Sequence, residues 1–280
     1  MAFVHFLTFG DGAPNFRGAA ARLSRQAAQT GIFRSITCGS LVMLRHDYPE
    51  FWEKHGEYLL TRPYVGYFLW KPFLIRSKLA ELPEGDFLIY ADAGCELVAN
   101  KQADLLGLLP IEPDFDVTII PLESCHTMQR WAHRFCLSKL DTEGTHRGRA
   151  HFSAGILCFR NSAATRDLVR QWLEWCLYEG CACLADREDE VEDPAFEAHR
   201  HDQSILCMVA YALEDQGRLG LKRIDTFPPG RALPILGIRN KTPFSAQGSP
   251  LRLALSRKLF NLWVKLFWNE ARYRARVLGS

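Results

Sequence analysis

The sequence predicts an α/β fold, a sheet covered by helices on both faces. Through about the first 100 residues, short apolar runs of strand type alternate with longer stretches of helical periodicity. One run, Phe87-Leu88-Ile89-Tyr90, is apolar without interruption, the pattern of a strand buried on both faces rather than on one. A third observation points to chemistry: that strand ends in Asp92-Ala93-Gly94, and open α/β sheets bind ligands at the carboxyl ends of their strands. With 280 residues, 48% of them hydrophobic, the chain can bury one large core.

Residues 4–9 alternate as a first strand and run into Thr8-Phe9-Gly10-Asp11-Gly12. Glycines there permit close approach of a phosphate or ribose, and Asp11 could accept from a ribose or base edge; the signal is weak alone, and an ordinary strand-to-helix turn is the simpler reading of the same residues. Residues 15–30 read as a helix capped near Asn15, residues 33–38 as a second strand, and residues 49–61 as a helix that can bury Phe51, Trp52, Tyr58 and Leu59. An aromatic turn over residues 67–72 leads into a short amphipathic helix with Leu74, Ile75, Leu79 and Leu82 at helical spacing. After Asp92 come a short helix over 101–109, a strand over 117–121 and a helix over 128–140 rich in aromatic and basic residues. A polar loop over 141–151 follows, then a buried strand over 152–159, where Ala154-Gly155 lets a ligand lie against the backbone. Ser162 caps a helix through residue 178, with Leu168, Val169, Trp172, Leu173 and Cys176 on one face. His199-Arg200-His201-Asp202-Gln203-Ser204 opens an apolar helix over 205–213, with Asp202 as either an N-cap or a working carboxylate. Residues 220–224 form a last strand, and residues 228–250 a Pro/Gly-rich loop whose Arg239 and Lys241 could fold back onto an anion.

The net charge of +2 hides an asymmetry. Residues 251–280 carry seven Lys/Arg against the one acid Glu270, so the rest of the chain is mildly acidic. Leu255, Leu259, Leu262, Trp263, Leu266 and Phe267 lie toward one side of that stretch, and Arg257, Lys258, Lys265 and Arg272 toward the other. This is the pattern of an interfacial helix on an anionic membrane surface, or of a helix packed on its own domain or a partner. The division expected is therefore a domain over residues 1–250 and a basic amphipathic helix over 251–280. No signal peptide or spanning segment is expected, and nine cysteines without a C-x-x-C pair read as reduced thiols, so the protein is placed in the cytoplasm. Six acids over 186–193 read as a solvated loop. Cys176, Cys181 and Cys183 with His199 and His201 fit no common zinc spacing. A nucleic-acid role lacks any motif, and a dinucleotide oxidoreductase lacks G-x-G-x-x-G after the first strand.

Three separated stretches point one way: Gly66-Tyr67-Phe68-Leu69-Trp70-Lys71-Pro72, then Asp86 through Asp92-Ala93-Gly94, then His199 through Ser204. With Phe152-Ser153-Ala154-Gly155-Ile156-Leu157-Cys158-Phe159-Arg160-Asn161 in support, they resemble a family of bacterial GT-A-type glycosyltransferases that build surface polysaccharide such as O-antigen or capsule. The resemblance implies a single Rossmann-like α/β domain with a mixed, mainly parallel sheet flanked by helices. It implies transfer of a hexose from a nucleotide-diphosphate sugar, by default a UDP-sugar, to a hydroxyl of a growing, lipid-linked glycan. The expected partners are that donor, a glycan or glycolipid acceptor and the inner membrane face. Thr8, Gly10, Asp11, Trp70, Lys71, Asp92, Gly94, Ala154 and Gly155 are then expected to line the nucleotide sugar. Asp202, with His199, Arg200 and Gln203, is expected on the acceptor side as the catalytic group. Such enzymes hold Mn²⁺ or Mg²⁺ through an Asp-x-Asp motif. Here Asp92 keeps the first carboxylate and Gly94 replaces the second, leaving Glu96 as the alternative ligand, Asp92 holding the metal through waters, or a site that relies more on Lys71 and Arg200. Gly94 also leaves open a catalytically degenerate fold that only binds a nucleotide or glycan.

Overall fold

The structure, a computed structural model, describes residues 2–98, 100–189, 191–224, 233–245 and 277. The amino-terminal half runs β1 (Val4–Phe9), α1 (Pro14–Thr30), β2 (Phe33–Gly39), α2 (Leu41–Asp47), α3 (Pro49–Thr61), a short turn α4 (Pro63–Tyr67), α5 (Trp70–Glu81) and β3 (Phe87–Ala91). It continues through β4 (Glu96–Leu97), α6 (Gln102–Gly107), β5 (Val117–Ile119), α7 (Met128–Trp131) and α8 (Arg134–Leu140). The chain then forms β6 (Ile156–Arg160), α9 (Ala163–Cys181), α10 (Asp202–Asp215), β7 (Leu221–Arg223) and β8 (Ile235–Leu236).

Six strands form one sheet in the order β2-β1-β3-β6-β5-β7, in which β6 alone runs against the others. β4 and β8 make a separate antiparallel pair. Alternate side chains of the central strands feed two cores, as the period of two requires. Leu7 and Phe9, Leu88 and Tyr90, and Leu157 and Phe159 enter the larger core, which α5, α9 and α10 fill with residues such as Leu74, Trp172 and Leu206. Val4 and Phe6, Ile89 and Ala91, and Ile156 and Cys158 enter the other, with Leu23 and Ala27 of α1 and Leu105 of α6. The α/β fold with a mixed, mainly parallel sheet between helices is therefore as expected.

Several elements differ from expectation for local reasons. α1 has Ala13 as its N-cap with no side-chain cap, and Pro14, preset for a first turn, does the starting rather than Asn15. The helix expected over 128–140 is broken at Ala132–His133, where the backbone is extended and His133 Nδ1 accepts from Cys136 N at 2.9 Å to start α8 afresh. The strand expected over 152–159 begins only at Ile156. Phe152 makes an isolated bridge to Pro121 instead. Between α3 and α5 the chain makes a left-handed turn, with φ of 53°, 57°, 68°, 50° and 67° from Tyr64 to Phe68. Four of these five residues are not glycine, a conformation that costs about 1–2 kcal/mol per residue. The nine cysteines are unpaired and seven of them buried. Among the described residues no helix is long and apolar enough to cross a membrane. The amphipathic helix expected from residue 251 lies outside the described residues, apart from Val277, which is buried and whose carbonyl accepts from Arg45 Nη1 at 2.7 Å.

Candidate active site

The carboxyl edge of the sheet collects the turns after β1 and β3 and the segment that enters antiparallel β6, so Asp11, Asp92 and Gly155 share one rim. Asp92 leaves the end of β3 with its side chain 43% exposed, its backbone N–H donating to Gly155 O at 2.9 Å. Gly155 leaves the carboxylate its place: a Cβ on it would stand 2.9 Å from Asp92 Oδ2 and push that side chain aside. Two residues back, on the same side of the strand, Tyr90 donates its hydroxyl to Asp92 Oδ1 at 2.5 Å.

Lys71 arrives from the first turn of α5 and is buried to 3% exposure. Its ammonium stands 3.0 Å from Asp202 Oδ2, 3.4 Å from Asp92 Oδ1 and 3.4 Å from the Ala154 carbonyl. The rings of Phe68, Tyr90 and Trp70 surround it with centroids 5.0, 5.5 and 5.9 Å away. Burial works against the charged ammonium, but the two carboxylates prevail and raise its pKa above the usual lysine value. Asp202 is the first residue of α10, not its cap, because His201 holds the N-cap position. The Lys71–Asp202 contact is an ion pair rather than an aligned hydrogen bond, since no described donor points squarely at Oδ2. Burial pushes the Asp202 carboxyl up to about 6, against the pull of Lys71 and with the help of the Asp92 charge. Asp202 is itself only 2% exposed.

Around this centre the expected residues divide. Gln203 ties the rim together, its Nε2 lying 3.3 Å from His151 Nδ1 and its Oε1 accepting from Ala154 N at 3.4 Å. Arg200 lies 4.0 Å over the Trp131 ring and is half-buried. Burial, then the nearby charge of Arg239, lowers its pKa. His199 is not brought to the site: its ring bonds the Cys183 carbonyl and His133 N, and burial keeps it neutral. Thr8 is sealed in the sheet with its hydroxyl unbonded. Gly10 serves packing, because a Cβ there would stand 2.3 Å from the Phe16 carbonyl of α1. Trp70 is 5% exposed and stacked on Phe9 at 3.9 Å, a wall rather than a platform for a base. Asp11 is spent on the backbone N–H groups of Gly12 and Leu41. Glu96 is fully buried in β4, one oxygen accepting from Asn240 Nδ2 and the other from Ser245 Oγ at 2.9 Å. Gly94 packs on the backbone of Arg239, whose Cα would lie 3.1 Å from an added Cβ.

No protein-family model matches the chain, and no curated protein does. Several solved structures with a similar chain path are sugar transferases. One is a glycosyltransferase involved in glycosylation of the major capsid of PBCV-1, 8% identical over 80% of this chain and 82% of that one, with a TM-score of 0.46. Mouse xyloside xylosyltransferase 1 in its apo form is 15% identical over 81% and 86%, with a TM-score of 0.42. The galactosyltransferase LgtC, in complex with donor and acceptor sugar analogues, is 12% identical over 99% and 100%, with a TM-score of 0.41. None of these likenesses transfers a residue's role to this chain.

Two contributors were not foreseen. Tyr90 carried a signal, since residues two apart on a strand share a face. Arg22 of α1 donates to the carbonyls of Ala93 and Cys95 at 2.9 and 2.7 Å, and to those of Asn240 and Thr242 at 2.9 and 2.5 Å, clamping the Asp92 turn to the 240–242 segment. A cavity of about 560 Å³ beside His201 is lined by Tyr58, Arg62, Tyr67, Cys181, Asp186 and Arg187, among others, and by none of the expected site residues.

Proposed function

We propose that this chain is a glycosyltransferase that moves a hexose from a nucleotide-diphosphate sugar, by default a UDP-sugar, to a hydroxyl of a bacterial surface glycan. One observation carries the reading: a half-exposed carboxylate, Asp92, is fixed at the rim of the sheet by Tyr90 and Lys71, in a turn against which the backbone of Arg239 packs. Transfer breaks the bond between the anomeric carbon and the β-phosphate oxygen, which keeps the electron pair, while an acceptor hydroxyl attacks that carbon and its proton passes to the released diphosphate. Positive charge must meet the leaving diphosphate and negative charge must face the cationic sugar. Arg200 and Arg239 are suited to the first task and Asp92 to the second.

Asp202 is too buried to touch an acceptor and acts through Lys71 as a positioning residue. The basic stretch from residue 251 favours a lipid-linked acceptor at an anionic membrane surface. The burial of Asp202 favours one other reading, a module that holds a nucleotide or glycan without turnover. A thermal-shift panel of UDP-, GDP-, CMP- and dTDP-sugars followed by donor hydrolysis separates the two: a stabilising donor that is also hydrolysed supports the transferase. A donor that stabilises but is never consumed supports the binding module.

A further inference from the structure

The residues that would hold a divalent cation do not fit one. The second carboxylate of an Asp-x-Asp pair would be crowded, because a Cβ on Gly94 would meet Arg239 Cα at 3.1 Å, tighter than an ordinary contact, in a segment held by Asn240 N donating to Gly94 O at 2.8 Å. Backbone, not a movable side chain, fills the space. Both oxygens of Glu96 accept from Asn240 and Ser245. Asp92 Oδ1 is shared by the Tyr90 hydroxyl and the Lys71 ammonium, so a divalent ion on this carboxylate would sit beside a buried positive charge. Among the described residues, the only three side chains grouped as metal ligands are Glu123, Cys125 and His126, none of them from this site.

Cations of the chain itself occupy the same ground. Lys71 stands between Asp92 and Asp202 as a cation that the two carboxylates already share. Arg239 is itself the residue that closes over Gly94, its Cα 3.1 Å from where a Gly94 Cβ would stand, and it lies near enough to Arg200 for their charges to repel. Neither arginine has a carboxylate partner among the described residues, and Lys241, next but one to Arg239, lies 5.1 Å over the Phe16 ring at the start of α1. Guanidinium groups gathered without counter-charge form a site for a multivalent anion, and their fork suits phosphate oxygens. We infer that this chain binds the diphosphate of its donor without a divalent metal, through Arg200 and Arg239, with Lys71 as the resident cation that holds Asp92 in place. The inference rests on the transferase reading and adds to it how the leaving group is neutralised.

The test is titration calorimetry of UDP, GDP, dTDP and inorganic pyrophosphate into the full chain, in EDTA and again with Mn²⁺. Binding of at least one nucleoside diphosphate in EDTA, within about threefold of its affinity with Mn²⁺ and weakened about tenfold or more by Arg239→Ala and by Arg200→Ala, is the expected result. Arg239 is exposed, so its variant should fold, and circular dichroism checks both. Binding seen only with Mn²⁺, or binding in EDTA that neither substitution weakens, would overturn the inference and leave the transferase reading standing. Failure of every nucleoside diphosphate under both conditions would remove that reading and the inference with it.

Discussion

Replacing Lys71 by Met deletes the ammonium that stands between two carboxylates and keeps most of the side-chain volume. In the native protein that ammonium stands 3.0 Å from Asp202 and 3.4 Å from Asp92, inside a ring of aromatic side chains. Removing one partner of a buried pair strands the other charge and costs about 3–5 kcal/mol. The protein has one escape, which is to protonate Asp202. A carboxyl whose pKa is raised on folding, here to about 6 by burial first and the Asp92 charge second, favours the folded state when protonated. That contribution is complete below the unfolded value of 3.8 and is lost as pH rises through about 6. Without Lys71 the folded pKa moves higher still, so the variant loses about 3 kcal/mol or more at pH ~8 and much less at pH ~5, where Asp202 is largely neutral in either protein. Urea unfolding followed by far-UV circular dichroism at both pH values measures this. Adding Asp202→Asn should recover at least half of the loss at the higher pH. A loss below about 1 kcal/mol at pH ~8, or an equal loss at both pH values, would show that Lys71 is not the counter-charge of this site.

Other consequences follow from the same geometry. Gly155→Ala should lower kcat for donor turnover by about tenfold or more with little change in melting temperature, because its Cβ would crowd Asp92 Oδ2 at 2.9 Å and shift a reacting group. Activity should fall as pH drops through about 6, since protonating Asp202 weakens the hold on Lys71. An Asp202→Asn protein should lack that limb in its pH–rate profile, whatever its residual rate. Gly94→Asp, which restores an Asp-x-Asp pattern, should destabilise the protein by about 1–3 kcal/mol in urea and confer no Mn²⁺ dependence on donor hydrolysis, because the backbone of Arg239 is in the way.

The centre of the sheet was legible because burial on both faces leaves an uninterrupted apolar run, and Phe87 to Tyr90 is one. A carboxylate placed just after such a run was a candidate for chemistry wherever the helices fell, so Asp92 could be named. Lys71 could be named with it, but not the reason it matters: its pairing with Asp202 depends on where α5 and α10 cross, which no local pattern encodes. The helix break at His133 was hidden because apolar spacing continues across it, and only the capping geometry of the His133 side chain reveals it. α2 left a readable sign, Ser40, whose hydroxyl accepts from Met43 N at 3.1 Å. β8 is two residues long and exists only through its pairing with β4, so nothing in its own composition announces it. Glu96 had the right parity for a second ligand, but β4 turns it into the Asn240 and Ser245 hydrogen bonds, a tertiary event 144 residues away in sequence. The left-handed turn from Tyr64 to Phe68 contains a β-branched valine and three aromatic residues, which disfavour that conformation, and only Gly66 hints at it.

The transferase reading meets its most direct test in the release of nucleoside diphosphate from a UDP- or GDP-hexose by the wild-type chain and by Asp92→Asn. Turnover by the wild type, lower by about 100-fold or more in the variant while donor binding persists, is the result that the half-exposed carboxylate predicts. Equal turnover by the two proteins, or none by the wild type with any donor that binds, would contradict it.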